Sequence, residues 1–272
     1  MSCSSTRLRD RFRGPSLWLL LIALALVVAG LGQAFEWLGR AAHVSELTEA
    51  DFTAARHAMV ADLRGRGLAS EDVLQAMDEV PRHEFVSARY LSEAYEDHPI
   101  PVGEGQEMLQ PYTVALQVQL GQQISQPYVV ALMTELLDLK PGDKVLEIGT
   151  GTGYHAAVLA EITDSVYTIE INPLLGDPAR ERLERLGYGR IHTRIGDGYY
   201  GWPSEEPFDA IVVTTAPDHV PQPLIAQLRD GGGLVIPVGP PGDYQTLWRI
   251  EKRGDQLITK NAGPILTIPM TR

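Results

Sequence analysis

Between Val145 and Tyr154 the chain reads Val-Leu-Glu-Ile-Gly-Thr-Gly-Thr-Gly-Tyr. This is an apolar strand that runs into three alternate glycines and opens a helix. Glycines let a backbone approach a ligand closely, and a helix start offers unpaired N–H groups. Two further acids fall where such a loop needs them. Glu170 ends the next apolar stretch, twenty-one residues after Gly149. A carboxylate at that tip accepts hydrogen bonds from both hydroxyls of a ribose and repels a 2′-phosphate. Asp197-Gly198 follows a third stretch; its carboxylate can receive the amino group of an adenine, and the glycine leaves room for the ring. The dinucleotide fingerprint is G-x-G-x-x-G. Here the third glycine comes one residue early and Tyr154 takes its slot, which disfavours NAD or FAD.

The elements that must position these residues alternate from about residue 129. Apolar runs predict strands at 144–148, 165–170, 191–195, 208–215, 233–237, 245–252 and 256–268. Helical patterns lie at 129–139, which Pro141-Gly142 ends, and at 154–162, 178–186 and 221–228. Upstream, 56–66 and 71–79 read as helices stopped by Gly67 and Pro81, and 36–54 reads as a connector. Strand–helix alternation predicts a doubly wound, mostly parallel α/β sheet with helices on both faces. Glu147, Glu170 and Asp197 then fall at the carboxyl ends of three successive strands, where open sheets bind ligands.

The Glu147-x-Gly149-x-Gly151-x-Gly153 form resembles motif I of the S-adenosylmethionine (SAM) methyltransferases, a seven-stranded Rossmann-like class. The likeness then narrows. Val80-Pro81-Arg82-His83-Glu84-Phe85-Val86, Ile124-Ser125-Gln126-Pro127-Tyr128 and Gly196-Asp197-Gly198-Tyr199-Tyr200-Gly201-Trp202 resemble segments of the protein-L-isoaspartate O-methyltransferases, over about residues 54–272. The family moves the SAM methyl group to the α-carboxyl of L-isoaspartyl residues in damaged proteins. The resemblance implies Ser125 as the active-site serine, orienting the carboxylate rather than attacking. It implies Glu147, Gly149, Thr150, Gly151, Thr152, Gly153, Glu170, Ile171, Asp197, Gly198 and Thr214 at the cofactor. Ile124, Gln126, Pro127, Thr267 and Ile268 are candidates to touch substrate. Other enzyme readings are a different carboxylate or small-molecule acceptor; a non-catalytic SAM- or peptide-binding protein is the third. His83 and His98 read as packing or surface histidines.

The sequence departs from the family twice. The segment 105–116 is repeated sixteen residues later as 121–132, with Leu109 where the second copy has Ser125. Residues 106–121 therefore read as an inserted duplicate of the active-site loop. The end of the chain, Leu266-Thr267-Ile268-Pro269-Met270, lacks the aromatic of the family's Phe-Val-Pro-Leu type strand.

Composition bounds the partners. The 272 residues are 44% hydrophobic and carry a formal net charge of −12, which argues against a nucleic-acid grip. One cysteine, Cys3, excludes an intrachain disulfide and a structural Cys-zinc site. No cluster has metal-ligand spacing. Charge is uneven: Arg7, Arg9, Arg11 and Arg13 outweigh Asp10 at the tip, and residues 14–35 carry no charge. Residues 1–35 thus read as a basic tip plus a hydrophobic helix, either a membrane anchor or a cleaved signal. Arginines on the N-terminal flank predict N-in, C-out, with residues 55–272 outside the cytoplasm.

Overall fold

Thr48 and Asp51 start the first helix by capping each other: the Thr48 hydroxyl accepts from the Asp51 amide, and the Asp51 carboxylate accepts from the Thr48 amide at 2.9 Å. That reciprocal pair fixes helix α1 at Glu49–Gly65. The tail of the expected connector, 49–54, is therefore helix, because the cap lies eight residues before Arg56, where the apolar pattern begins. Helix α2, Glu71–Glu79, follows Ser70 as its N-cap. The Ala69 and Ser70 amides at its start both donate to the Glu135 carboxylate at 2.8 Å. The computed structural model describes residues 47–102, 123–240 and 243–271. The hydrophobic run of 1–35 and the duplicate at 106–121 lie outside them. Among the described residues no helix is long and apolar enough to cross a membrane.

Strands β1, Ile100–Pro101, and β2, Gln123–Ile124, pair antiparallel with Ile100 opposite Ile124. Helix α3, Pro127–Leu137, follows at once with proline in its first turn. Then come β3 Lys144–Ile148, α4 Tyr154–Ile162, β4 Ser165–Glu170, α5 Pro173–Arg185, β5 His192–Ile195 and β6 Phe208–Val213. Helix α6, Gln222–Gln227, leads into β7 Leu228–Val238, and β8 Gln245–Arg253 and β9 Gln256–Ile265 close the order. The seven-stranded sheet runs β5-β4-β3-β6-β7-β8-β9. The first five of these are mutually parallel, and β8 and β9 are antiparallel additions.

The chain winds outward from β3 to β4 and β5, then returns to the other side of β3 for β6 and β7. That reversal opens a crevice beyond the carboxyl end of β3. Both sheet faces are covered, which is why the central strands read as nearly unbroken apolar runs. Val145, Val166, Ala210 and Val212 face a core shared with α1 to α5, whereas Leu146, Ile148, Ile211 and Val213 face a second core with Leu224 and Ile225 of α6. Helix α5 begins five residues before the expected 178, with Asn172 accepting from the Leu174 amide at 3.0 Å and Pro173 in the first turn. Pro178 lies inside it. Strand β7 begins at Leu228 rather than 233.

Candidate active site

The crevice beyond β3 is a cavity of about 480 Å³, within the range of roughly 300–1,000 Å³ typical of small-molecule sites. Its floor is the glycine loop. Gly149, with φ +100°, leaves no room for a side chain: a Cβ there would meet Thr214 Oγ1 at 2.3 Å. Thr214 in turn donates from Oγ1 to the Ile148 and Gly149 carbonyls at 3.0 Å each. The loop thus turns under β6 in contact with its backbone. A Cβ on Gly198 would likewise meet Ile148 Cγ2 at 2.3 Å, so glycine keeps that wall thin. Gly153, φ +91°, packs on Leu183 of α5 and does not line the cavity.

Glu170 is buried at the tip of β4. One oxygen accepts from the Gly151 amide at 2.8 Å and the other from the Asn172 amide at 2.9 Å. Each oxygen retains acceptor capacity toward the cavity, as a pair of ribose hydroxyls requires. Asp197 is different. Its carboxylate accepts from the Tyr199 amide at 2.9 Å and caps a short 3-10 turn, while the neighbouring Gly198 and Tyr199 line the cavity. The sequence predicts the acid itself at the ligand; in the structure it also holds the turn that presents those two residues.

Glu147 is wholly buried and also borders the cavity. Thr168 Oγ1 donates to its Oε2 at 2.6 Å, so the 2.6 Å contact between Thr150 and Thr168 runs with Thr150 as donor. Its Oε1 has no hydrogen-bond partner among the described residues and lies 3.6 Å from His155 Nδ1. Thr134 of α3 donates to the Val130 carbonyl, so it accepts from His155 Nε2–H at 2.9 Å. His155 Nδ1 is then a bare acceptor facing the carboxyl. Burial pushes the Glu147 carboxyl up to about 8 and pulls the His155 imidazole down to about 4. The pair is neutral at pH 7; hydrogen bonds link Thr150, Thr168 and Glu147 on the glycine-loop side and His155 and Thr134 on the α3 side, and the two sets face each other across 3.6 Å.

Ser125 lies between β2 and α3 and lines the cavity with Gln123 and Ile124. Three contacts hold this segment. Ile124 pairs with Ile100, the Tyr128 amide donates to Asp97 Oδ1 at 2.8 Å, and Arg82 Nη2 donates to the Ser125 carbonyl at 2.8 Å. Gln126 is the N-cap of α3; neither it nor Pro127 reaches the cavity. The opposite wall comes from the far end of the chain. The Ala216 amide donates to the Ile268 carbonyl at 2.7 Å, and the Met270 amide to the Ala216 carbonyl at 2.8 Å. Ile268, Pro269, Met270 and Thr271 line the cavity. Thr267 does not; its hydroxyl donates to the Thr214 carbonyl at 2.9 Å and anchors the tail.

Thr150, Gly151, Thr152 and Ile171 are at the cavity as expected. Asn172, Pro173, Leu175, His155 and Tyr199 line it too and were not among the expected residues. For Asn172 the signal was present, since Asn followed by Pro is a helix start, and a helix starting there must face the ribose-binding tip. His83 is stacked on Phe52 with ring centroids 4.0 Å apart and bonded to the Tyr95 hydroxyl at 2.7 Å; neither it nor His98 reaches the cavity. Among the described residues no group of three or more His, Cys, Asp or Glu could hold a metal ion.

Comparison with known proteins gives this geometry a family. The model of the protein-L-isoaspartate(D-aspartate) O-methyltransferases matches residues 54–272. Protein-L-isoaspartate O-methyltransferase 2 of Shewanella sediminis is 48% identical over 218 residues, which are 80% of this chain and 83% of that protein. The protein-L-isoaspartate O-methyltransferase of Opitutus terrae is 42% identical over 254 residues, 93% of this chain and 97% of its own. A solved protein-L-isoaspartate O-methyltransferase superposes with a TM-score of 0.69 at 30% identity, covering 80% of this chain and 66% of that one. The fold, the cavity and these likenesses agree, and the chain belongs to the protein-L-isoaspartate O-methyltransferase family, SAM-dependent enzymes that methylate isoaspartyl carboxyls.

Proposed function

We propose that this chain methylates the α-carboxyl of L-isoaspartyl residues in damaged proteins by direct in-line transfer, with the donor in the crevice beyond β3 and the acceptor entering past Ser125. The observation that carries this reading is the placement of Ser125 on the rim of the same cavity whose floor is the glycine loop and whose side is Glu170. The residues fit SAM. The Gly149 and Gly198 positions are cradles that a Cβ would fill, and each Glu170 oxygen, bonded to one amide, keeps acceptor capacity at the cavity wall. When bound, SAM supplies a methyl group already activated by the sulfonium.

The protein's own share is alignment. An isoaspartyl carboxyl has an ordinary pKa of about 4 and is ionised near neutrality, so no general base is required. Ser125 donates its hydroxyl to one carboxylate oxygen and so directs the other along the transfer axis. The tail residues Ile268, Pro269 and Met270 form the opposite wall. Alignment of this kind accounts for much of the rate of a transfer between two bound partners.

Labelled SAM offered with an isoaspartyl peptide and its normal aspartyl twin tests the reading: label should enter the first alone. Transfer to both, or to neither, would sink it and leave the small-molecule acceptor or the non-catalytic binder. Ser125→Ala should slow turnover at least about tenfold with SAM affinity unchanged. The N-terminal reading is a separate proposal. The basic tip and apolar run of residues 1–35 support an anchored or exported protein with residues 55–272 outside the cytoplasm. That placement poses its own demand, because charged SAM does not cross a bilayer passively. Fractionation of the expressed full chain, finding it in membrane or exported fractions rather than in the cytosol, checks it.

A further inference from the structure

The core beside the cavity holds a cation that the mechanism above leaves unused. Arg82 begins a short 3-10 turn after Pro81 and has no exposed surface. Its Nε donates to the Ala94 carbonyl and its Nη2 to the Ser125 carbonyl, each at 2.8 Å. The guanidinium lies over the ring of Tyr154, 4.6 Å from the centroid. Its Nη1 has no hydrogen-bond partner among the described residues. Tyr154 does the most to offset this burial, Tyr95 and then Asp97 add less, and Asp97 is itself engaged by Arg66 and by the Tyr128 amide.

A buried guanidinium without a carboxylate of its own is costly. A neutral side chain would fill the place more cheaply if packing were all that was needed. What the arginine does have is a connection between the two halves of the site. The Ser125 carbonyl lies one residue before Gln126, whose carbonyl accepts the first bonds of α3 from Val129 and Val130. Ser125 is thus outside the helical ladder, and Arg82 supplies a donor there. On its other side the same planar group rests on Tyr154, the first residue of α4 and the one that follows the glycine loop. A rigid fork of donors with a flat face suits this double duty; a lysine ammonium can reach one carbonyl and stacks less well.

We propose that Arg82 is a positioning residue for methyl transfer: it holds the Ser125 carbonyl against Tyr154 and so fixes the distance between the acceptor-orienting hydroxyl and the glycine loop. The inference rests on the role given to Ser125 above. It predicts that Arg82 matters to the rate only while that hydroxyl is present.

The test is a double-mutant cycle in the full chain: wild type, Arg82→Lys, Ser125→Ala and the double variant. For each, kcat and KM are measured with an isoaspartyl peptide, and SAM affinity by calorimetry. Arg82→Lys should keep SAM affinity within about twofold and lose roughly 10- to 100-fold in kcat, the scale set by sub-ångström to ångström misplacement. The double variant should be no slower than Ser125→Ala alone. Normal kcat in Arg82→Lys beside a slow Ser125→Ala overturns the inference while the Ser125 reading stands. A normal rate in Ser125→Ala overturns the Ser125 reading and the inference with it. Additive losses in the double variant show that Arg82 does not act through Ser125, which also overturns it. Arg82→Met is the second variant. Loss of SAM binding in both Lys and Met variants makes Arg82 a structural residue and ends the proposal.

Discussion

Glu147 presents one oxygen to Thr168 and the other to His155, and burial holds its proton to about pH 8 while keeping the imidazole neutral down to about pH 4. The folded carboxyl lies above its ordinary 4.5, so its contribution to stability is complete below that value and is lost as pH rises through 8. The folded imidazole lies below its ordinary 6.5, so its contribution is complete above that value and is lost as pH falls through 4. Between 4.5 and 6.5 the two oppose each other; from 6.5 to 8 the glutamate acts alone. Stability should therefore fall with rising pH in that upper window, by up to about 1.4 kcal/mol per pH unit. Urea midpoints measured there should show the slope in the wild type and a flat line in Glu147→Gln. Gly149→Ala should cut SAM affinity at least about tenfold in calorimetry, because its Cβ would overlap Thr214 Oγ1 at a φ of +100°. At this scale the sequence was legible where a residue's duty is local. The glycine loop and Glu170 announce themselves by spacing. The same motif marks Glu147, but not its protonation, because burial raises the carboxyl and only tertiary packing supplies that burial.

Each element around the cavity is set by an end rather than by its middle. Asn172 and Pro173 begin α5 and also border the ligand space. Asn172→Ala should cost about 1 kcal/mol of stability, the usual loss for an N-cap, read as a lowered urea midpoint. The α/β class and the mostly parallel sheet followed from alternation alone, since continuous apolar strands demand cover on both faces; the order of the strands is seen only in the structure. Helix starts were harder to read. The apolar pattern in α5 becomes visible after Pro178, and the one in α1 after Arg56, yet both helices begin at polar caps upstream, Asn172 and Thr48. The tail was placed at the site only through the family resemblance, which named Thr267 and Ile268; Ile268 lines the cavity and Thr267 does not. Its docking needs Ala216 and Thr214, some fifty residues away.

As a whole the molecule is strongly acidic, with a net charge of −12 and arginines gathered at its N-terminal tip. Its acceptor is also an anion. Long-range repulsion of this kind is screened by salt. The KM for an isoaspartyl peptide rich in aspartate and glutamate should accordingly fall as ionic strength rises, and that of a peptide with balanced charge should hold steady; steady-state kinetics across a salt series compares them. The two-core layout has its own effect at this scale. Helices α1 and α2, which precede the strands in sequence, pack into the same core as Val145 and Val212 of the central sheet, so the N-terminal helices and the sheet share one cooperative unit.

One wall of the pocket consists of Ile268 to Thr271, bridged to Ala216. A nascent chain halted at β9 would already own its glycine loop and its serine, yet it would lack a side.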